Sequence, residues 1–166
     1  VSGDALLRFA DEVGAAGRPE AVPQAAELHL VTFALDREHY GIPVQRVREV
    51  IRVGEITRVP QAPEHVRGVT NLRGRILPVV ELRSRLGLLP AVLTPRSRIV
   101  VTEAQGRVLG LLVDAVLQVT RIPADTVQPA PDDVMTPQAD WLAGVARRPD
   151  RLLILLELDA VLQPQR

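Results

Sequence analysis

Gly68-Val69-Thr70-Asn71-Leu72-Arg73-Gly74-Arg75-Ile76-Leu77-Pro78-Val79-Val80-Glu81-Leu82 decides how the rest of the chain is read. Its first half is polar and bounded by glycines. Val69 to Gly74 reads as a short strand entering a turn, because Asn and Gly tolerate positive φ or bond their own backbone there. Arg75 to Leu82 reads as a buried strand. Pro78 has no N–H to donate, which predicts an edge strand or a bulge. Asn71, Arg73 and Arg75 crowd the turn, where side chains point outward and binding residues gather. The plainer reading is a solvated hairpin.

The stretch recurs. Gly144 to Leu158, GVARRPDRLLILLEL, matches it without a gap, with Gly68/Gly144, Val69/Val145, Arg75/Arg151, Leu77/Leu153, Glu81/Glu157 and Leu82/Leu158 identical. Upstream, Gly41, Val44, Val47, Val50 and Arg52 match Gly110, Val113, Val116, Val119 and Arg121 at the same spacing. An apolar strand, Leu30 to Phe33 or Ile99 to Thr102, precedes each of those glycines. The chain is therefore two copies of one supersecondary unit, roughly 30–82 and 99–158. Two copies are too few for a solenoid and fit two similar lobes.

The 166 residues suit one domain, or one domain of two lobes. Hydrophobic residues make up 46% but aromatics only 2%, so the core must be Val, Leu, Ile and Ala. Cysteine is absent, which excludes disulfides and thiolate chemistry and fits a cytoplasmic protein. The longest apolar runs, Val108 to Val113 and Leu152 to Leu156, are too short to span a bilayer as helices, so no direct membrane insertion is expected. The 20 basic residues are all Arg, balanced by 20 acidic ones. From Arg37 to Arg98 twelve Arg face five Glu, a bias that could suit nucleic acid. The stacking aromatics of single-strand binders are missing, however, and the arginines alternate with apolar residues as on a solvated face.

Along the chain, residues 1–27 stand outside the repeat. Leu6, Phe9, Ala10 and Val13 fall on one face of a possible short helix, followed by a Gly/Pro-rich linker; the leader reads as flexible or loosely docked. Leu28 to Leu35 alternates as a strand and Tyr40 to Pro43 returns. Val44 to Val47 suits a brief helix, and 48–53 a strand. Arg83 to Leu86 reads as a short helix closed by Gly87. Copy two repeats the order, with strands at 98–103, 107–113 and 116–122. A Pro-rich acidic loop spans 123–137, then comes the second hairpin at 144–158, with Asp159 placed to cap a last helical turn. Many short strands broken by Gly and Pro mean an all-β barrel or sandwich.

Enzymatic constellations are hard to find. His29, His39 and His65 form no H-x-x-x-H or H-x-H arrangement, and no Cys could complete a zinc site. Ser2, Ser84 and Ser97 lack a G-x-S-x-G context, and no phosphate-cradling glycine loop is present. No cofactor is called for. Glu81 and Glu157 recur with the scaffold and read as structural, pairing with Arg75 or Arg151. The copies differ at the hairpin turn: Asn71-Leu72-Arg73-Gly74 in the first, Arg147-Arg148-Pro149-Asp150 in the second. A changed turn on a retained scaffold points to a separate role for the first turn.

Tyr40-Gly41-Ile42, Val47-x-Glu49-Val50, Thr57-Arg58-Val59-Pro60, Gly68 to Gly74 and Leu77 to Leu82 together resemble the CheW family of chemotaxis coupling proteins, as do Gly110 to Asp114 and Gly144 to Leu158. The resemblance covers about 28–163. It implies two similar five-stranded, SH3-like β-barrel lobes with short helices, lobe one over about 28–88 and lobe two over about 96–163, and leaves room for the chain termini to exchange between lobes. It implies no catalysis. Proteins of this family link the cytoplasmic tips of chemoreceptors to the regulatory domain of a CheA-type histidine kinase, in arrays at the inner membrane. The receptor tip docks in a groove between lobes, and the kinase pairs through barrel ends. Val47, Glu49, Gly68 and Arg73 fall at the family's function-sensitive positions. Asn71 lies in the same turn, and Val113 and Val116 are the apolar anchor candidates of the second copy. Glu49 is expected to pair with Arg73, whose planar fork can hold a carboxylate bidentately. Two alternatives stand beside a free coupling protein: the same module cut from a larger kinase or receiver-fused protein, and a small-barrel nucleic-acid binder.

Overall fold

The computed structural model describes residues 26–129 and 141–162. The leader helix expected within 1–25 and most of the Pro-rich loop lie outside the described residues. Eleven strands form in these segments: β1 (Glu27–Leu35), β2 (Glu38–Pro43), β3 (Val47–Arg52), β4 (Val66–Leu72), β5 (Arg75–Glu81), β6 (Arg98–Ala104), β7 (Arg107–Val113), β8 (Ala115–Pro123), β9 (Val127–Gln128), β10 (Leu142–Arg147) and β11 (Leu152–Leu156). A 3-10 turn at Val44–Arg46 precedes β3, close to the brief helix that the valine spacing predicts. Short helices Leu82–Arg85 and Leu158–Val161 follow the two hairpins. The all-β class is as expected.

The chain divides into two compact units. One takes residues up to Thr32, Arg37–Gln45 and Leu117 onward; the other takes Phe33–Asp36 and Arg46–Val116. The six-stranded sheet of the first runs β8-β1-β2-β11-β10-β9, and the five-stranded sheet of the second runs β3-β6-β7-β5-β4. The lobes therefore do not follow the copies over 28–88 and 96–163. Each copy's first two strands are traded: β1 and β2 lie in a sheet with β10 and β11, and β6 and β7 in a sheet with β4 and β5. The sixth strand of the first sheet is the two-residue β9, formed where a plain loop is expected.

Burial within β1 marks the trade. Leu28, Leu30 and Thr32 are buried on one phase of the strand, Phe33 and Leu35 on the other. Successive side chains alternate faces, so the phase change accompanies the passage from one unit to the next. The cores are aliphatic. Leu28, Leu30, Ile122, Ala143, Leu153 and Leu155 fill one. Leu77, Val79, Ile99, Val101 and Leu112 fill the other, with Ile51, Leu72 and Val108 packed against them.

The duplication holds down to single hydrogen bonds. Glu81 N donates to the His65 carbonyl at 2.7 Å and Glu157 N to the Trp141 carbonyl at 2.6 Å. β4 bulges between Val66 and Gly68, and β10 bulges between Leu142 and Gly144. Val79 lies parallel to Gly110 as Leu155 lies parallel to Gly41.

Three local expectations are corrected. Pro78 sits in the interior strand β5, and the bulge falls on its neighbour β4. The ring is tolerated because Val69, opposite Pro78, spends its own N–H and carbonyl on Thr57, both at 2.8 Å, and the ladder to β7 begins only at Val79. Glu81 does not pair with Arg75. It is buried, takes a hydrogen bond from the Ala91 N–H and binds Arg67 at 2.9 Å. Asp159 lies inside the last helix's first turn, and Glu157 holds the cap position.

Candidate partner-binding site

The β4–β5 hairpin closes on two residues, with Leu72 opposite Arg75. Arg73 (φ 52°) and Gly74 (φ 83°) both take positive φ, the pattern of a type I′ turn that matches strand twist. Asn71 ties the turn: its Oδ1 accepts from Gly74 N at 2.8 Å. Arginine gains nothing from positive φ and has no short side chain to bond its own backbone. Its conformation is held from outside. Nη1 and Nη2 donate to the two Glu49 oxygens, each at 2.7 Å, as the bidentate fork predicts. The Arg73 side chain is 71% exposed. The hydrogen bonds from Arg73 hold the Glu49 carboxyl below its ordinary range, and those to Glu49 raise Arg73.

Glu49 comes from edge strand β3, where a second ion pair forms: Arg48 Nη2 to Glu103 Oε2 at 2.8 Å. Arg46 Nε donates to the Glu103 carbonyl at 2.8 Å. Beside the turn, Asn71, Leu72 and Ile76 line a concave surface of about 560 Å³ with residues of 51–57. Ile76 is 76% exposed. Sequence reasoning missed it, although strict alternation with buried Leu77 places it outward. Leu152, its counterpart, is exposed as well.

The remaining expected residues separate. Gly68 is buried and serves the backbone: with φ at 153°, an added Cβ would lie 2.2 Å from the Thr57 carbonyl oxygen. Val47 and Val116 are half-buried and could present an apolar edge. Val113 is only 1% exposed; it points into the core where β7 pairs with β6 and cannot act as an anchor. Among the described residues no group of three or more His, Cys, Asp or Glu is placed to hold a metal ion. None of the described helices is long and apolar enough to cross a membrane.

A family model described as the CheW-like domain matches residues 29–166. The chemotaxis protein CheW of Rhizobium meliloti is 36% identical over 132 residues, 80% of this chain and 85% of that one. The chemotaxis protein CheW of Klebsiella aerogenes is 32% identical over 133 residues, 80% of each chain. Among solved structures, the scaffolding protein TtCheW from Thermoanaerobacter tengcongensis superposes with a TM-score of 0.77 at 32% identity, over 89% of this chain and 94% of that one. With its duplicated hairpins and the fold they build, the chain belongs to the CheW-like domain family.

Proposed function

We propose that the chain is a non-enzymatic adaptor that couples the cytoplasmic tips of chemoreceptors to the regulatory domain of a CheA-type histidine kinase, at receptor arrays on the cytoplasmic face of the inner membrane. Family membership over nearly the whole described chain supports the adaptor role. The observation that carries the site is the exposed Glu49–Arg73 fork on a turn that arginine would not choose for itself. A side chain kept at positive φ, splayed outward and fixed by one carboxylate, still has guanidinium donors left for a partner. Val47 and Val116 are the apolar candidates for a helical receptor tip, which would dock as an amphipathic helix in a groove.

The test is a pair of substitutions read in two assays. Arg73→Ala weakens assembly with receptor fragment and kinase while leaving the melting temperature close to wild type, because an exposed ion pair adds little stability. Arg73→Lys rescues poorly, since it keeps the charge and loses the fork. A loss of stability large enough to explain all the lost assembly would refute the assignment.

A further inference from the structure

The position equivalent to the Glu49–Arg73 pair in the other copy has been rebuilt with different chemistry. By the repeat register, Glu49 corresponds to Gln118 and Arg73 to Pro149. In that copy's core Val101 is buried, and Ile51, Leu72 and Val108 pack against the cluster it belongs to. Their counterparts are Thr32, Thr120, Arg148 and His39, all polar. These four line a cleft of about 270 Å³ that also includes Gln118 and Arg151. A position meant only to close a barrel would keep its apolar filling.

The polar groups of the cleft are unequally satisfied. Thr32 Oγ1 donates to the Gln118 carbonyl at 2.9 Å. Thr120 is 92% buried (8% exposed) and lines the same cleft. Arg148 is half-buried and makes no ion pair with a described residue; only its backbone is engaged, donating to the Arg151 carbonyl at 2.8 Å. Arg151 donates to the Arg37 carbonyl at 3.3 Å and has Asp150 3.7 Å away, a carboxylate with a 77% exposed side chain. Burial first, then the nearby Arg151, lowers the His39 pKa, against a raising effect of Asp150. The first copy supplies its own carboxylate at this place. The second has Gln118 there, with Arg148, Arg151 and the Asp150 carboxylate around the cleft.

We propose that this cleft binds a carboxylate from an acidic peptide segment of a partner protein, held by Arg148 and Arg151 with the Thr120 hydroxyl as a further donor. In the first copy the counterpart of Gln118, Glu49, is a carboxylate held by an arginine. The inference does not depend on receptor or kinase coupling, because its test uses neither.

The experiment titrates the full chain, isotope-labelled, with a blocked Glu-rich hexapeptide while following the Arg side-chain Nε–H and His39 ring resonances. Controls are the Gln-for-Glu peptide and inorganic phosphate. Saturable shifts at Arg148, Arg151 and His39 with the Glu peptide alone are expected. Arg148→Gln should weaken binding by about fivefold, the scale of one partly exposed ion pair. Should Arg148→Gln fail to fold, Gln118→Glu with Pro149→Arg is the second variant. It installs the first copy's internal carboxylate and should abolish binding. Equal binding of the Gln peptide, phosphate competing as well as the Glu peptide, or unchanged affinity in either variant would overturn the proposal.

Discussion

Gly68→Ala tests whether this glycine acts through the backbone. The new Cβ would stand 2.2 Å from the Thr57 carbonyl oxygen, 2.8 Å from its carbon and 2.9 Å from Ile56 Cγ2. The first two are backbone atoms and cannot rotate away. Relief requires the Thr57 segment to lift off β4, which breaks the reciprocal Thr57–Val69 hydrogen bonds, each 2.8 Å long. Each such bond is worth about 0.5–1.5 kcal/mol net. Holding alanine at φ 153° adds a further cost of about 1–3 kcal/mol. The total is about 2–6 kcal/mol, or roughly 4–24 °C in Tm for a chain of this size. Urea unfolding followed by circular dichroism measures it. A variant within about 0.5 kcal/mol of wild type would refute the clash. Lost partner binding at unchanged stability would place Gly68 in direct contact with a partner instead.

Arg83 is 11% exposed, with Nη1 2.5 Å from Asp36 Oδ1 and 2.8 Å from Asp114 Oδ2. Arg83→Met leaves two neighbouring carboxylates uncompensated and should cost about 1–3 kcal/mol, below the fully buried range because both aspartates keep some solvent; adding Asp114→Asn should recover part of it in a double-mutant cycle by urea melts. Burial first, then the charges of Arg151 and Arg85 respectively, lowers the pKa of His39 and His65 from their ordinary value, with Asp150 opposing this at His39. A lowered histidine stabilises the fold above its unfolded pKa of about 6.5, and that stability is lost as pH falls through the folded pKa. Melts between about pH 7.5 and pH 5 should show a decline that His65→Asn reduces; an unchanged slope in that variant would remove His65 as a source. Glu49, lowered chiefly by the Arg73 hydrogen bonds, contributes above its unfolded pKa and loses that as pH falls further, so Arg73→Ala should shift the carboxylate's titration upward in NMR.

Much of this was legible in the sequence, for identifiable reasons. Alternation gave the strands, and the turn residues Asn71 and Gly74 gave the hairpin. The Glu49–Arg73 pair followed from the family pattern and the geometry of a guanidinium. The trade of strands was not legible, because two similar copies present similar inward faces and periodicity does not say which copy a strand joins. Val113 and Val116 both read as apolar anchors of the second copy; burial puts Val113 inside and Val116 half outside. The cleft was hidden for another reason. Thr32, His39, Thr120 and Arg148 sit on separate segments, and each alone reads as an ordinary solvent-side polar residue.

The two copies are constrained unequally along their length. β5 must pair with β7 as β11 pairs with β2, so the glycines, bulges and helix entries of both copies hold to one backbone geometry. Side chains at the turns carry no such obligation. Their backbone groups are satisfied locally, by Asn71 for Gly74 in one copy and by the Arg148–Arg151 bond in the other. Chemistry can therefore change at the turns with little cost to the sheets: one copy carries the exposed Glu49–Arg73 pair, the other a cleft lined by Arg148, Asp150 and Arg151. A duplicated unit that keeps its backbone geometry while its side chains diverge, at the turns and at strand positions such as Gln118 and Thr120, presents two unlike surfaces without a second fold.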